Sequence, residues 1–365
     1  MTPDVTQAAT HSFAASYTDA RKRFLTAAGG VSRAYELEAT GPAGERLYTD
    51  CCWIGPADAE RVIVILSATH GIEGYCGSGV QIDWLTSDAR SRLAPDQAVL
   101  LVHGLNAYGF AWDRRVTEEG CDLNRNCIDF GEPVPANPAY LELAEFLVPP
   151  DLDADTLAAA ESKLGAYREI HGQRAFEIAV KGGQYEDRFG MFFGGTEPSS
   201  ARRRLERIID DYRLGERRFV TILDIHTGLG PFGYGEPQSE HDPVSESHRL
   251  ASDLFGPSLT SPDLGSSFAV PVTGTLQMLW NRALGDGNHV YICLEYGVFE
   301  QAGNRAAYRL DHWHHRYGGG DPHSEQGLRV RKTMRDQFCS DRQDWREMVL
   351  FRARQIYGQA LAAGG

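Results

Sequence analysis

The sequence predicts an α/β protein built on a single mixed, twisted sheet flanked by helices. Four runs, "RVIVILSAT" (61–69), "AVLLVHG" (98–104), "RFVTILDI" (218–225) and "HVYICLEYG" (289–297), are continuously apolar, as strands covered on both faces must be. Helical periods separate them, and alternation of strand with helix marks a layered α/β architecture. A chain of 365 residues with 42% hydrophobic and 24% charged residues has the balance of a packed globular protein and enough material for a large core.

The elements follow in order. Residues 13–28, "FAASYTDARKRFLTAA", space apolar residues three and four apart and predict an amphipathic helix ended by Gly29 and Gly30. "RLYTDCCWIGP" (46–56) predicts a strand stopped by Gly55 and Pro56. After the 61–69 strand, "GSGVQIDWLTSDARSRL" (77–93) has a helical period. From about 138 to 217 the pattern is helical throughout, which interrupts the strand series and predicts a helical insertion over one end of the sheet. Beyond 297 a polar loop and one or two helices are expected. No internal repeat divides the chain, so one domain spanning 1–365 is expected.

Composition narrows the partners. A formal net charge of -14 repels phosphates, so neither nucleic acid nor an anionic membrane surface is an expected partner. Seven cysteines, an odd number with no C-x-x-C pair, read as free thiols in a reducing compartment. The N-terminal stretch has no continuous apolar segment and no 18-residue apolar run occurs, so a soluble, cytoplasmic protein is expected.

The polar residues with chemical potential gather at strand ends. Ligands of open α/β sheets bind beyond the carboxyl ends of the strands. His70 and Glu73 follow the apolar run 61–67, "CDLNRN" (121–126) follows the run 98–103 and its loop, His226 ends the run 219–225, and Glu295 ends the run 289–294. Alone, His70 and Glu73 read equally as a cap or a buried polar pair, and His226 as a core histidine. Together they form two imidazoles and a carboxylate, the ligand set of a catalytic zinc that keeps a fourth position for water, and a set that favours zinc over magnesium or calcium. Glu295 is then the expected general base. Asp224, two residues before His226, is placed to orient or neutralise a neighbour. Arg125, Arg114 and Arg115 are candidates for binding a carboxylate or an oxyanion. The glycine-rich "TGLGPFGYGE" (227–236) reads as a close backbone approach to a ligand or a flexible turn. Three further features read as bystanders: His103 as a neighbour rather than a ligand, the histidines of "DHWHHRYGGGDPH" (311–323) as an exposed loop, and Cys76 as a thiol with no histidine partner.

The motifs "HGIEG", "DLNRN", "DIHTG" and "CLEYG", in this order, resemble the zinc carboxypeptidase superfamily, the M14 metallopeptidases. The wider contexts "ILSATHGIEGYCGSGVQ" and "DIHTGLGPFGYGE" resemble its DUF2817 branch over most of residues 15 to 320, and aspartoacylase and succinylglutamate desuccinylase share the four elements. The resemblance implies a zinc carboxypeptidase-like catalytic domain holding one zinc ion, with His70, Glu73 and His226 as ligands and Glu295 as base and proton shuttle. Asn124 and Arg125 match the pair that holds a substrate carboxylate, and Arg115 matches the arginine that polarises the scissile carbonyl. It stands only nine residues before Asn124, with Arg114 adjacent. Tyr234, Tyr291 and Tyr296 are alternatives for the family's mobile tyrosine. The implied activity is amide hydrolysis by metal-activated water on a small peptide or N-acyl amino acid with a carboxylate. An aspartoacylase-like deacylase and a non-enzymatic zinc-binding module are the alternatives.

Overall fold

Each apolar run becomes a strand because both of its faces find a hydrophobic layer. In this computed structural model, which describes residues 4–30, 32–299 and 301–362, the chain opens with α1 (Val5–Ser12) and α2 (Tyr17–Ala28). The extremities of the expected 1–365 span, 1–3 and 363–365, lie outside the described residues. The Ser16 side chain accepts from Asp19 N at the start of α2, and Gly29, at φ +63°, ends it where the sequence places the stop. There follow β1 (Ser32–Thr40), β2 (Arg46–Ile54), β3 (Arg61–Leu66), α3 (Gly74–Thr86), β4 (Gln97–His103) and α4 (Ala107–Ala111). The helical stretch holds α5 (Pro138–Leu147), α6 (Ala154–His171), α7 (Gln173–Lys181) and α8 (Ser200–Asp211). The chain returns through β5 (Phe219–Phe232), β6 (Gly235–Gln238), α9 (Glu246–Phe255), α10 (Leu276–Leu284) and β7 (His289–Gly297), then ends with α11 (Gln301–Arg316), α12 (Glu325–Phe338) and α13 (Gln343–Ala362).

Among the described residues the strands form one seven-stranded sheet in the order β1-β2-β4-β3-β5-β7-β6. The four predicted apolar runs are its parallel centre, and β1, β2 and β6 join by antiparallel pairing. Alternation divides each central strand between two layers. Ile63, Ile65, Leu223, Ile225 and Ile292 face a layer that includes α2, α3 and α13, whereas Val62, Val64, Val220, Ile222 and Tyr291 face α8 and α10.

Four expectations need correction. Helix α1 and strands β1 and β6 carry no strong apolar run and escaped the sequence reading; β1 is an edge strand wetted on one face, and β6 is a four-residue edge strand containing Pro237. The helical stretch of 138–217 divides: α5, α6 and α7 pack together, but Leu205, Ile208 and Ile209 of α8 cover the sheet itself. The tail is three helices rather than one or two. Residues 311–316 belong to α11, with His312 and His314 buried, so the histidine-rich segment is not an exposed loop throughout. Among the described residues no helix is long and apolar enough to cross a membrane.

Candidate active site

The site begins where β3 ends. Ala68, at φ +61°, turns the chain out of the sheet in the left-handed region that non-glycine residues seldom occupy, a strain found mostly at functional sites. His70 follows, then a single 3-10 turn over Gly71–Glu73. A Cβ at Gly71 would stand 2.1 Å from the Gly109 carbonyl carbon, so only glycine lets α4 approach the turn. The same turn donates Gly71 N–H to Arg115 O (3.1 Å) and Ile72 N–H to Arg114 O (2.8 Å), which locks the His70–Glu73 turn to the arginine loop. His226 and Glu295 are directly opposite in the parallel β5–β7 register and continue the face of Ile222 and Tyr291. Four strand ends thus deliver their polar residues to one edge of the sheet.

His70 Nδ1 lies 2.9 Å from Glu73 Oε1, and His226 Nδ1 lies 2.9 Å from Glu73 Oε2 and 3.1 Å from His70 Nδ1. All three side chains are buried. Adjacent donors of a tetrahedral zinc with bonds of about 2.0–2.2 Å stand about 3.3 Å apart, so these atoms fit such an ion. His226 Nε2 stands 2.9 Å from Asp224 Oδ2 but outside hydrogen-bond alignment, an electrostatic contact that keeps Nδ1 turned to the site. Asp224 is itself held by Thr69 and Tyr291 hydroxyls. Burial works to raise Glu73, but His70 and His226 outweigh it and hold the carboxylate well below its usual range. Burial, and then the neighbouring Glu73, push Glu295 up to about 8, and its Oε1 accepts from Leu229 N–H at 3.0 Å. A bound cation would draw Glu295 back down. Cys293 also gathers with His226 and Glu295, but burial pushes its thiol up, so it stays protonated and is the poorer donor.

Arg115 is packed against this cluster. Its Nη2 is 2.7 Å from His70 Nε2, its Nη1 is 3.4 Å from Glu73 Oε1, and its Nε donates to Asp122 Oδ2 at 2.8 Å. Asp122 Oδ1 is 3.3 Å from His70 Nε2, the ring nitrogen that Arg115 Nη2 also approaches, and Nδ1 is the one turned to Glu73 and His226. Asn124 and Arg125 line the same cavity, whose volume is about 280 Å³. Arg125 directs Nε and Nη2 at Lys181 O and Nη1 at Asn124 O. Asn124 accepts from Leu276 N–H through Oδ1. Arg114 turns away, its Nε on Asp311.

A family model described as "Protein of unknown function (DUF2817)" matches residues 13–352. The chain belongs to the DUF2817 family. Comparison with curated proteins finds no match. Among solved structures, this DUF2817 chain is similar to carboxypeptidase A from Helicoverpa armigera, at 12% identity and TM-score 0.46, over 88% of this chain and 73% of that one. It is also similar to murein-tripeptide amidase MpaA from Escherichia coli O157, at 13% identity and TM-score 0.34, over 83% and 91%. A metallo-carboxypeptidase from Pseudomonas aeruginosa, in complex with (2-guanidinoethylmercapto)succinic acid, gives 15% identity and TM-score 0.37, over 91% and 68%.

In the DUF2817 chain the bystanders separate from the site. His103 bonds Ser78 Oγ and stacks on Phe24; burial pushes its imidazole down to about 3. Cys76 is buried with its thiol pushed up. None of the three tyrosine candidates lines the cavity: Tyr291 bonds Asp224, Tyr296 bonds Val349 O, and Tyr234 is exposed. Tyr308 of α11 does line it, with its hydroxyl 3.0 Å from Arg115 Nη1. Sequence reasoning missed Tyr308, which has no motif around it, and gave Asp122 no role although it stands inside "DLNRN". The helical stretch of 138–217 also reaches the cleft, through Phe176, Val180 and Lys181 of α7.

Proposed function

We propose that this protein is a zinc-dependent hydrolase, one ion per chain, that cleaves an amide bond in a small peptide or N-acyl amino acid carrying a free carboxylate. The observation that carries the reading is the convergence of His70, Glu73 and His226 in one cavity with Glu295, Arg115, Asn124 and Arg125. When bound, zinc supplies Lewis acidity to water and to an acyl oxygen. Glu295 takes the proton of the attacking water and returns it to the departing amine, a role supported by its position opposite His226 and on the wall of the same cavity. Arg115 stabilises the developing oxyanion, supported by its approach to His70 and Glu73. Asn124 and Arg125 hold the substrate carboxylate, supported by their place on the cavity wall. A reducing, cytoplasmic setting belongs to the same reading, supported by seven buried free cysteines.

Elemental analysis of wild type and His226→Ala, followed by assays of wild type and Glu295→Gln on dipeptides and N-acyl amino acids, tests it. Zinc at one equivalent, lost in His226→Ala, with hydrolysis lost in Glu295→Gln, supports the hydrolase. Zinc bound without hydrolysis of any substrate leaves the non-enzymatic zinc-binding module, and absence of zinc from wild type after reconstitution removes the zinc-dependent hydrolase.

A further inference from the structure

We propose that the active-site cleft contains a subsite for a cationic side chain, with Glu240 as its anionic anchor. The inference rests on the reading of the cleft as the substrate site, and it names the substrate class. The residue released would carry a free carboxylate and an amine or guanidinium on an aliphatic stem.

Glu240 stands two residues beyond β6, whose Gln238 pairs with Cys293 of β7 two residues before Glu295. That register brings Glu240 to the wall of the same cavity as Glu295 and Arg125. Its Oε2 is buried and has no hydrogen-bond partner among the described residues. Burial holds the Glu240 carboxyl above its usual range and Asp224 adds to that, while His226, the Thr275 hydroxyl and Arg125 oppose it, so a cation brought to the free oxygen would complete the ionised form. Arg125 is near enough for its charge to be felt, yet three of its donor contacts go to backbone carbonyls. A buried carboxylate oxygen left in this state is costly and calls for a partner.

The surrounding wall indicates the partner's shape. Ala269, Val270 and Val272 line the same cavity. Aliphatic wall, carboxylate-binding arginine and unpaired carboxylate together complement a residue with an acid group, a methylene stem and a cationic head. A neutral side chain would leave Glu240 unpaired, and an acidic one would be repelled, so the subsite selects by penalty as well as by attraction.

Free L-lysine, L-norleucine and L-glutamate are suitable probes, because they resemble released products and amide hydrolysis does not consume them. Calorimetric titration of the wild-type protein should show lysine binding roughly tenfold or more tighter than norleucine, with glutamate weakest. Glu240→Gln should bring lysine to the norleucine level while leaving norleucine unchanged, and Glu240→Asp, which keeps the charge, should retain part of the preference. Equal binding of lysine and norleucine by wild type, a preference that survives in Glu240→Gln, or binding of none of the three overturns the subsite. The two readings fail separately. A lysine preference without hydrolysis of any amide removes only the hydrolase; hydrolysis of neutral and lysine-terminated substrates with the same kcat/KM ratio in wild type and Glu240→Gln removes only the subsite.

Discussion

Glu73 and Glu295 are both buried carboxylates within one site, yet they are driven in opposite directions. Two imidazoles face Glu73 and hold it ionised, whereas Glu295 meets the charge of Glu73 and one backbone N–H. Pairs of groups pushed apart in this way are how a site assigns one carboxylate to a ligand role and another to proton transfer. Glu295→Gln is therefore expected to retain its metal and lose roughly 10²- to 10⁴-fold in kcat, read by elemental analysis beside an amide-hydrolysis assay. Asp122 acts through His70 and Arg115, and Asp122→Asn is expected to weaken metal binding roughly 10- to 100-fold in chelator competition with the fold retained. His70, Glu73, His226 and Glu295 were legible because their spacing falls at the ends of apolar runs. Arg115 and Arg114 are adjacent in sequence, and tertiary contacts distinguish them: Arg115 meets His70, Glu73 and Asp122, whereas Arg114 pairs with Asp311 on α11. Tyr308 carries no local signature and reaches the cleft through packing of α11, while Glu240 reaches it through the pairing of β6 with β7, which no sequence pattern announced.

Elements hold the site through close contacts that tolerate little change. The approach of α4 to the His70–Glu73 turn depends on the missing side chain of Gly71. Gly71→Ala is expected to cost about 2–3 kcal/mol, because the obstacle is backbone rather than a flexible side chain. Gly165, in the middle of α6, borders open space: a Cβ added there would meet nothing within 4 Å. Gly165→Ala is expected to stabilise by about 0.5–1 kcal/mol. Thermal unfolding of the two variants checks the contrast, and equal shifts would mean that the α4 contact is soft. At this scale the central strands were readable from continuous apolar runs and α2 from its period and glycine stop. The division of the 138–217 helices was not readable, because the apolar stripe of α8 has the same period whether it covers a sheet or another helix.

At the scale of the whole molecule, burial of neutral histidines links stability to pH. Burial pushes His103 down to about 3 and His312 to about 4, from an ordinary value of 6.5. Below pH 6.5 the unfolded chain takes up protons that the folded chain refuses, so these two residues destabilise the fold progressively as the pH falls from 6.5 towards those values. Each contributes about 1.4 kcal/mol per pH unit in that window, and urea unfolding at pH 7 and pH 5 should show the fall. His103→Gln should reduce the slope by about one proton's share; an unchanged slope would place the acid sensitivity elsewhere. The sequence by itself determined the α/β class, the four central strands and which residues stand at their carboxyl ends, because continuous apolar runs and helical periods are local properties of the chain. The tertiary structure decided which arginine faces the His70–Glu73 turn, that α8 covers the sheet, and that Tyr308 and Glu240 share the cavity. Those outcomes depend on which distant surfaces bury one another, and no local pattern encodes that choice.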